Sequence, residues 1–368
     1  MMRFTFDLAG SSDDAALRQR MKEDVLKGSI STTFRREPNY FSGTKVQGDN
    51  GQVIKCTDTR TNEIVALAAR TELQAFLNGE PAGLGYLCDL RGTTRVRKGT
   101  LLARGFKFLK TLHSERSIEL YYTMILSDNK TAIDALTEQR AGLPRYRGMG
   151  RFFTPTLHLD YRRGYRFDPT LQITTANHVP LQQLVNFINQ QNRRYQLAPV
   201  ISVDALQSDR YRGLQLEHIF VASKGKRIVG CVACWDQQSF KQIHVERYKG
   251  WLKISRPLYN QWTKLSSRKP LPSPGEKLSF FYLALIAIEQ DNSAYFRELL
   301  EYIYEKRRAK QWHFFMAGLH EHHPLVDELS RFSNIPLYGN LYIAHWPDGE
   351  AAFRQLDERT PHIELAAL

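Results

Sequence analysis

The stretch Arg95-Val-Arg-Lys-Gly-Thr-Leu-Leu102 joins an apolar, strand-like run, Ala82 to Arg91, to a helical segment, Thr100 to His113. The chemistry such a loop offers is phosphate binding. Gly99 lets the backbone come close to an anion, the first N–H groups of the helix point at it, and Arg95, Arg97 and Lys98 add positive charge. The plainer alternative is an ordinary strand-to-helix turn on a basic surface. Farther along, Asn129 follows the apolar run Ile118 to Leu126 and opens a second helix, Lys130 to Arg140, closed by Ala141-Gly142. Asparagine there is a natural N-cap, with or without a ligand.

Two other clusters invite a metal reading, and neither completes a ligand set. Cys231-Val-Ala-Cys234 has the spacing of zinc and redox sites, but on a strand residues three apart face opposite ways. With Cys56 and Cys88 also in apolar runs, all four cysteines read as buried reduced thiols. His320-Glu-His-His323 precedes Pro324 and a short helix, where solvated histidines are expected.

The elements that must position these residues occur twice. Residues 3 to 6 alternate as a strand and lead into a helix from Asp13, and residues 172 to 175 lead likewise into Leu181 to Tyr195. Glu63-Ile-Val-Ala66 is echoed by Arg227-Ile-Val-Gly230, and Ile133-Asp-Ala-Leu136 by Val326-Asp-Glu-Leu329. A repeat this long predicts a duplicated domain. The expected division is 1–160 for the first copy, 161–170 for a linker, 171–348 for the second copy and 349–368 for a C-terminal tail. Phe153 to Asp160 is the expected last strand of the first copy, and Leu337 to His345 the closing hairpin of the second. Leu278 to Ile288 reads as a strand buried on both faces. Residues 249–277 form an insertion with Trp251, Tyr259 and Trp262, expected to shape a pocket or an interface.

A chain of 368 residues with 42% apolar content has material for two cores, and no apolar stretch is long enough to span a bilayer. The start lacks the pattern of a signal peptide, so a cytoplasmic chain is expected. A net charge of +13 favours anionic partners, yet no nucleic-acid-reading motif accompanies it.

Strand, basic glycine-containing loop, helix, strand, Asn-initiated helix and final hairpin together resemble the GNAT superfamily of acyl-CoA-dependent N-acyltransferases. The resemblance covers most of residues 1–160. It implies an α+β fold of two GNAT-like domains, each a mostly antiparallel mixed sheet flanked by helices. It also implies acyl-CoA as cofactor, acetyl-CoA first among the options. The family's Arg-Gly-x-Gly-x-Gly/Ala loop falls on Val96, Arg97, Lys98, Gly99, Thr100 and Leu101, and only Gly99 remains glycine. Leu90 and Arg91 fall where the strand offers backbone groups to the pantetheine arm, and Asn129 and Ala132 match the family's Asn-x-x-Ala. The usual tyrosine seven positions after the asparagine is Leu136 here. Tyr121, Tyr122 and Tyr146 are therefore the candidates for the acid, and Asp89 or Glu72 for the base.

In the second copy the corresponding loop, Glu289-Gln-Asp-Asn-Ser293, is acidic and would repel a pyrophosphate. That copy is expected to have lost the cofactor and to furnish the wall for an amine acceptor. Competing readings are an aminoacyl or long-chain acyl transferase of similar architecture, and a non-catalytic binder of an acidic partner.

Overall fold

The computed structural model describes residues 3–93, 100–115, 118–138, 142–159, 164–265, 269–307 and 312–368. Among these, two large sheets form the body. The first runs, in order across it, Phe4–Leu8, Asp49–Asp58, Glu63–Leu77, Glu80–Gly92, Tyr121–Leu126, Tyr338–His345, Arg145–Phe153 and Leu319–His320. The second runs Gln172–Thr175, Ile219–Lys224, Arg227–Trp235, Phe280–Ile288, Phe314–Met316, Thr156–His158 and Asn334–Ile335. One pair in each sheet is parallel: Glu80–Gly92 with Tyr121–Leu126, and Phe280–Ile288 with Phe314–Met316. Each needs a crossover, supplied by the helices Leu101–Ser114 and Ser293–Lys306. Mostly antiparallel mixed sheets flanked by helices are the α+β class expected.

Two strands depart from expectation by crossing over. Tyr338–His345 does not close the second sheet; it pairs between Tyr121–Leu126 and Arg145–Phe153 in the first. Conversely, Thr156–His158 leaves the first half and pairs with Phe314–Met316 in the second sheet. Hydrophobic alternation marks a strand and its buried face, but a partner far away in sequence leaves no trace in it. A third, small sheet was not expected: Gln242–Tyr248 from the second half pairs with Ile30–Arg35 from the first. The stretch 349–368 is not a loose tail. Ile363 and Ala366 are buried, and the His362 N–H donates to the Gln196 carbonyl.

The second sheet is buried on both faces, and Phe280–Ile288 shows why its sequence has no polar residue. Phe280, Tyr282 and Ala284 face one core; Phe281 and Leu283 face the other. After Ala284 the parity flips, so that Leu285 and Ala287 join the first core and Ile286 and Ile288 the second. The flip is a bulge: Cys231 and Ala233 pair with Ala287 and Ala284, which places an extra residue on the Phe280–Ile288 strand, and Leu285 has φ of 50°. On the neighbouring strand Cys231 and Cys234 point into opposite cores, as the strand reading of that pair requires.

Candidate functional site

In the first sheet, Glu80–Gly92 and Tyr121–Leu126 pair through Gly85–Tyr121 and Tyr86–Tyr122. Beyond that point the ladder stops although both strands continue, one to Gly92 and the other to Leu126. The strands fork. Tyr86 and Tyr122 stack at the crotch, ring centroids 4.5 Å apart. Three residues past Tyr86 the strand bulges, because Cys88 and Arg91 oppose Ala69 and Leu67, and Asp89 takes φ of 53°. A bulge breaks the regular ladder and re-aims backbone groups, so the fork edge can offer N–H and C=O groups to an extended ligand.

Chain direction puts two helix starts at the same end. The crossover helix begins at Leu101 after the Glu80–Gly92 strand, and Lys130–Thr137 begins after Tyr121–Leu126. Thr100 and Leu101 open the first of these, and Thr100 makes no side-chain cap. Asn129 caps the second, its Oδ1 accepting from the Ala132 N–H at 3.2 Å. Leu90, half exposed at the bulge, and Arg91, whose Nη1 lies 3.4 Å from Asp24, stand on the fork's edge. Fork, bulge and two helix N-termini thus meet at the carboxyl ends of two parallel strands, an arrangement suited to an elongated anionic ligand. Arg95, Arg97, Lys98 and Gly99 lie outside the described residues.

The candidate acid and base groups are mostly committed elsewhere. Asp89 is 2.7 Å from Arg36 Nη2 and accepts from the Tyr40 hydroxyl at 2.8 Å. Burial works to raise its pKa, but Arg36, Arg91 and the Tyr40 hydrogen bond hold it below the ordinary range, which makes it a poor proton acceptor. Glu72 is bound by Arg70 at 2.8 Å and by Asn50. Tyr121 is fully buried on the crossover-helix side. Its hydroxyl donates to His113 Nδ1 at 3.0 Å, while His113 Nε2 meets Asp348 at 2.8 Å, which fixes the proton on Nε2. Burial pushes Tyr121 up to about 12. Tyr146 packs between Phe106 and Tyr342, and burial raises its pKa as well. Both tyrosines do packing work in the core beneath the crossover helix.

Lys241 was not foreseen. It precedes the Gln242–Tyr248 strand, where the two halves meet, and its Nζ donates to the Leu368 carbonyl and lies 4.9 Å over the Tyr282 ring. Leu368 packs against the cores of both sheets. Burial, then the positive charge of Arg36, pushes the Lys241 ammonium down to about 7, against the opposing pull of Asp89 and Cys88. It is thereby poised to exchange a proton near neutrality. Nothing in the local sequence marks it, because Arg36, Asp89 and Leu368 come from three distant segments.

Elsewhere the expectations divide. His320 and His323, expected in solvent, are buried: His320 Nε2 meets the Met149 carbonyl at 2.8 Å, and His323 stacks on Tyr195. Glu289 and Asp291 are paired with Arg227 and Arg194. Trp251 and Trp262 lie exposed on the helix Gly250–Thr263, while Tyr259 lines a cavity of about 430 Å³ with Trp312 and His313.

The chain has the fold of GNAT N-acyltransferases, by its likeness to solved structures. The likeness runs nearly its full length. An N-myristoyltransferase of Saccharomyces cerevisiae with bound myristoyl-CoA is similar over 94% of this chain and 83% of its own, at 12% identity and a TM-score of 0.61. The GCN5-related glucosamine N-acetyltransferase region of a fungal multi-domain β-N-acetylglucosaminidase is similar over 92% of this chain and 38% of its own, at 10% identity and 0.59. A GCN5-related N-acetyltransferase from Sphaerobacter thermophilus covers 94% of this chain and 96% of its own, at 11% identity and 0.51. No protein-family model and no curated protein matches the sequence.

Proposed function

We propose that the chain is an acyl-CoA-dependent N-acyltransferase with its cofactor in the first sheet. The observation that carries the reading is the fork beyond Tyr86 and Tyr122, edged by the Asp89 bulge. The pantetheine arm would extend along the strand edge at Leu90 and Arg91, completing the interrupted ladder. The pyrophosphate would lie over the helix start at Thr100 and Leu101, with Arg95, Arg97 and Lys98 nearby in sequence. Asn129 would face the cofactor from the second helix start. The two halves are read as copies of one fold, since each sheet carries one parallel pair followed by a bulge on the longer strand. Only the first would hold the cofactor, because at the second the Glu364 side chain already takes up the bulge N–H of Leu285.

Transfer requires a neutral amine to add to the thioester carbon, after which the C–S bond breaks and the thiolate takes a proton. Lys241 is the proposed acceptor of the ammonium proton, in place of Asp89. Acetyl-CoA is the first candidate donor. A longer acyl chain is the second reading, favoured by the likeness to the yeast enzyme holding myristoyl-CoA.

Calorimetric titration of the full chain with CoA, acetyl-CoA and myristoyl-CoA tests the proposal, followed by thiol release in the presence of an amine panel. Saturable binding at one site per chain is expected, and the tighter of the two thioesters names the donor. No binding by any of the three would leave a non-catalytic protein on an acyltransferase fold.

A further inference from the structure

The helix Gly250–Thr263, with Leu265 just past its end, carries an apolar stripe that stands exposed among the described residues. Trp251 is 76% exposed, Leu258 73% and Leu265 92%, with Ile254 and Trp262 also in solvent. At 100° per residue these five positions fall within an arc of roughly 80°. The opposite face is the one that docks. Arg256 reaches the Leu271 carbonyl and stacks on Tyr248, Asn260 bonds Leu271 in both directions, and Thr263 is buried. The exposed stripe is therefore apolar surface on a helix already anchored by its other face.

Its charge setting is one-sided. From Arg247 to Gly275 the sequence has seven Lys and Arg and no Asp or Glu. Exposed Lys253 and Lys264 lie roughly 80–100° around the helix from the Ile254 edge of the stripe, within reach of long side chains, and exposed Arg247 and Lys249 precede the helix. Tryptophans stand near both ends, at 251 and 262. An apolar stripe bracketed by tryptophan, on a helix whose only charges are cations, matches a surface that is apolar beneath and anionic at its face, which is a bilayer of acidic lipid. Nucleic acid would supply the anions but nothing for Leu258 and Ile254 to enter. None of the described helices is long and apolar enough to cross a membrane, so the contact would be in the plane of the interface.

We propose that this helix docks the protein on anionic membrane surfaces, with Trp251, Ile254, Leu258, Trp262 and Leu265 entering the acyl boundary and Lys253 and Lys264 meeting the headgroups. The inference is independent of the acyl-transfer reading.

The test is co-sedimentation of the full chain with vesicles of phosphatidylcholine alone and with about 30% phosphatidylglycerol. Two double variants accompany it, Trp251→Ser with Leu258→Ser and Lys253→Glu with Lys264→Glu, all at exposed positions, with thermal melts to show that folding is unchanged. Binding to the anionic vesicles alone is expected, reduced at least about tenfold in each variant and also in about 0.5 M salt, where screening is short-ranged. Equal sedimentation with both vesicle types, or full binding by the serine variant, would overturn the proposal. So would a wild-type dimer in ultracentrifugation that Leu258→Ser converts to monomer, because the stripe would then belong to a second copy.

Discussion

The main-chain N–H of Leu285 donates to Glu364 Oε2 at 2.8 Å. Leu285 stands in the second sheet where Asp89 stands in the first. Each lies at a bulge, three residues past the last parallel pair, Tyr282 with Met316 and Tyr86 with Tyr122. The two bulges are thus matched in backbone and opposed in use. At the second, the Glu364 carboxyl of the chain's own 363–367 segment takes up the bulge N–H, and Ala366 N–H closes back on the same side chain. At the first, the bulge residue turns its side chain toward Arg36, and the backbone edge faces the open end of the fork. This difference supports assigning the ligand to the first sheet.

Glu364 should make stability depend on pH. Burial raises its carboxyl to about 7, against the downward pull of the Leu285 and Ala366 N–H groups and of Arg210. A carboxyl whose folded pKa exceeds its unfolded value keeps its proton in the native state. Its contribution is full below about 4.5 and is lost as pH climbs through about 7, at most about 3 kcal/mol in all. Gln at 364 retains an acceptor for Leu285 and cannot ionise. Denaturant midpoints measured across that window should fall for the wild type more steeply than for Glu364→Gln; parallel curves would show that the carboxyl is not buried in its neutral form.

Lys241 predicts a different profile, in activity. A lysine held down to about 7 must be neutral to accept a proton, so kcat/KM should rise through about pH 7 and level off above it. Lys241→Met should remove that limb and lower kcat by about 10². Acyl-CoA affinity is expected to change little, since the proposed cofactor contacts lie on the fork. An unaltered pH limb in the methionine variant would return the role of base to another group.

Legibility in the sequence followed the range of the interactions. Gln172–Thr175, Glu63–Leu77 and the crossover helix Leu101–Ser114 could be read because alternation and helical period are local. So could Asn129, a cap whose partner is three residues away. The exchange of Tyr338–His345 could not, because its neighbours in the sheet are some two hundred residues distant. The same holds for Lys241, whose altered proton affinity comes from Arg36 and from burial at a junction of three segments. Asp89 shows the limit most sharply: its residue type suggested a base, and only the fold reveals Arg36 beside it.

Gly85 stands directly opposite Tyr121 in the parallel pair. A Cβ there would meet the Tyr121 ring at 2.1 Å, and Tyr121 is fully buried with its hydroxyl bound to His113. Gly85→Ala should therefore cost about 1–3 kcal/mol through overpacking, with the ring driven off its histidine. In the background of Tyr121→Val, which removes the ring, the same alanine should cost much less. A double-mutant cycle by denaturant unfolding measures the coupling, and simple additivity would place the strain somewhere other than at this contact.

The strand exchange bears on whether either half can act alone. Residues 1–165 lack Tyr338–His345, which in the intact chain stands between Tyr121–Leu126 and Arg145–Phe153 and carries the buried Leu341, Ile343 and Ala344. Without it the fork strand has a bare edge, and two core faces lose three fully buried side chains, each worth about 1.5–3 kcal/mol for the larger two. That loss is comparable to the whole stability of an ordinary domain, about 5–15 kcal/mol. The fragment should therefore show no cooperative melt and no saturable acyl-CoA binding, whereas the full chain should melt as one unit. Cooperative unfolding of residues 1–165 by circular dichroism, with cofactor binding intact, would mean that the first sheet closes without the borrowed strand and that the second half is dispensable to the site.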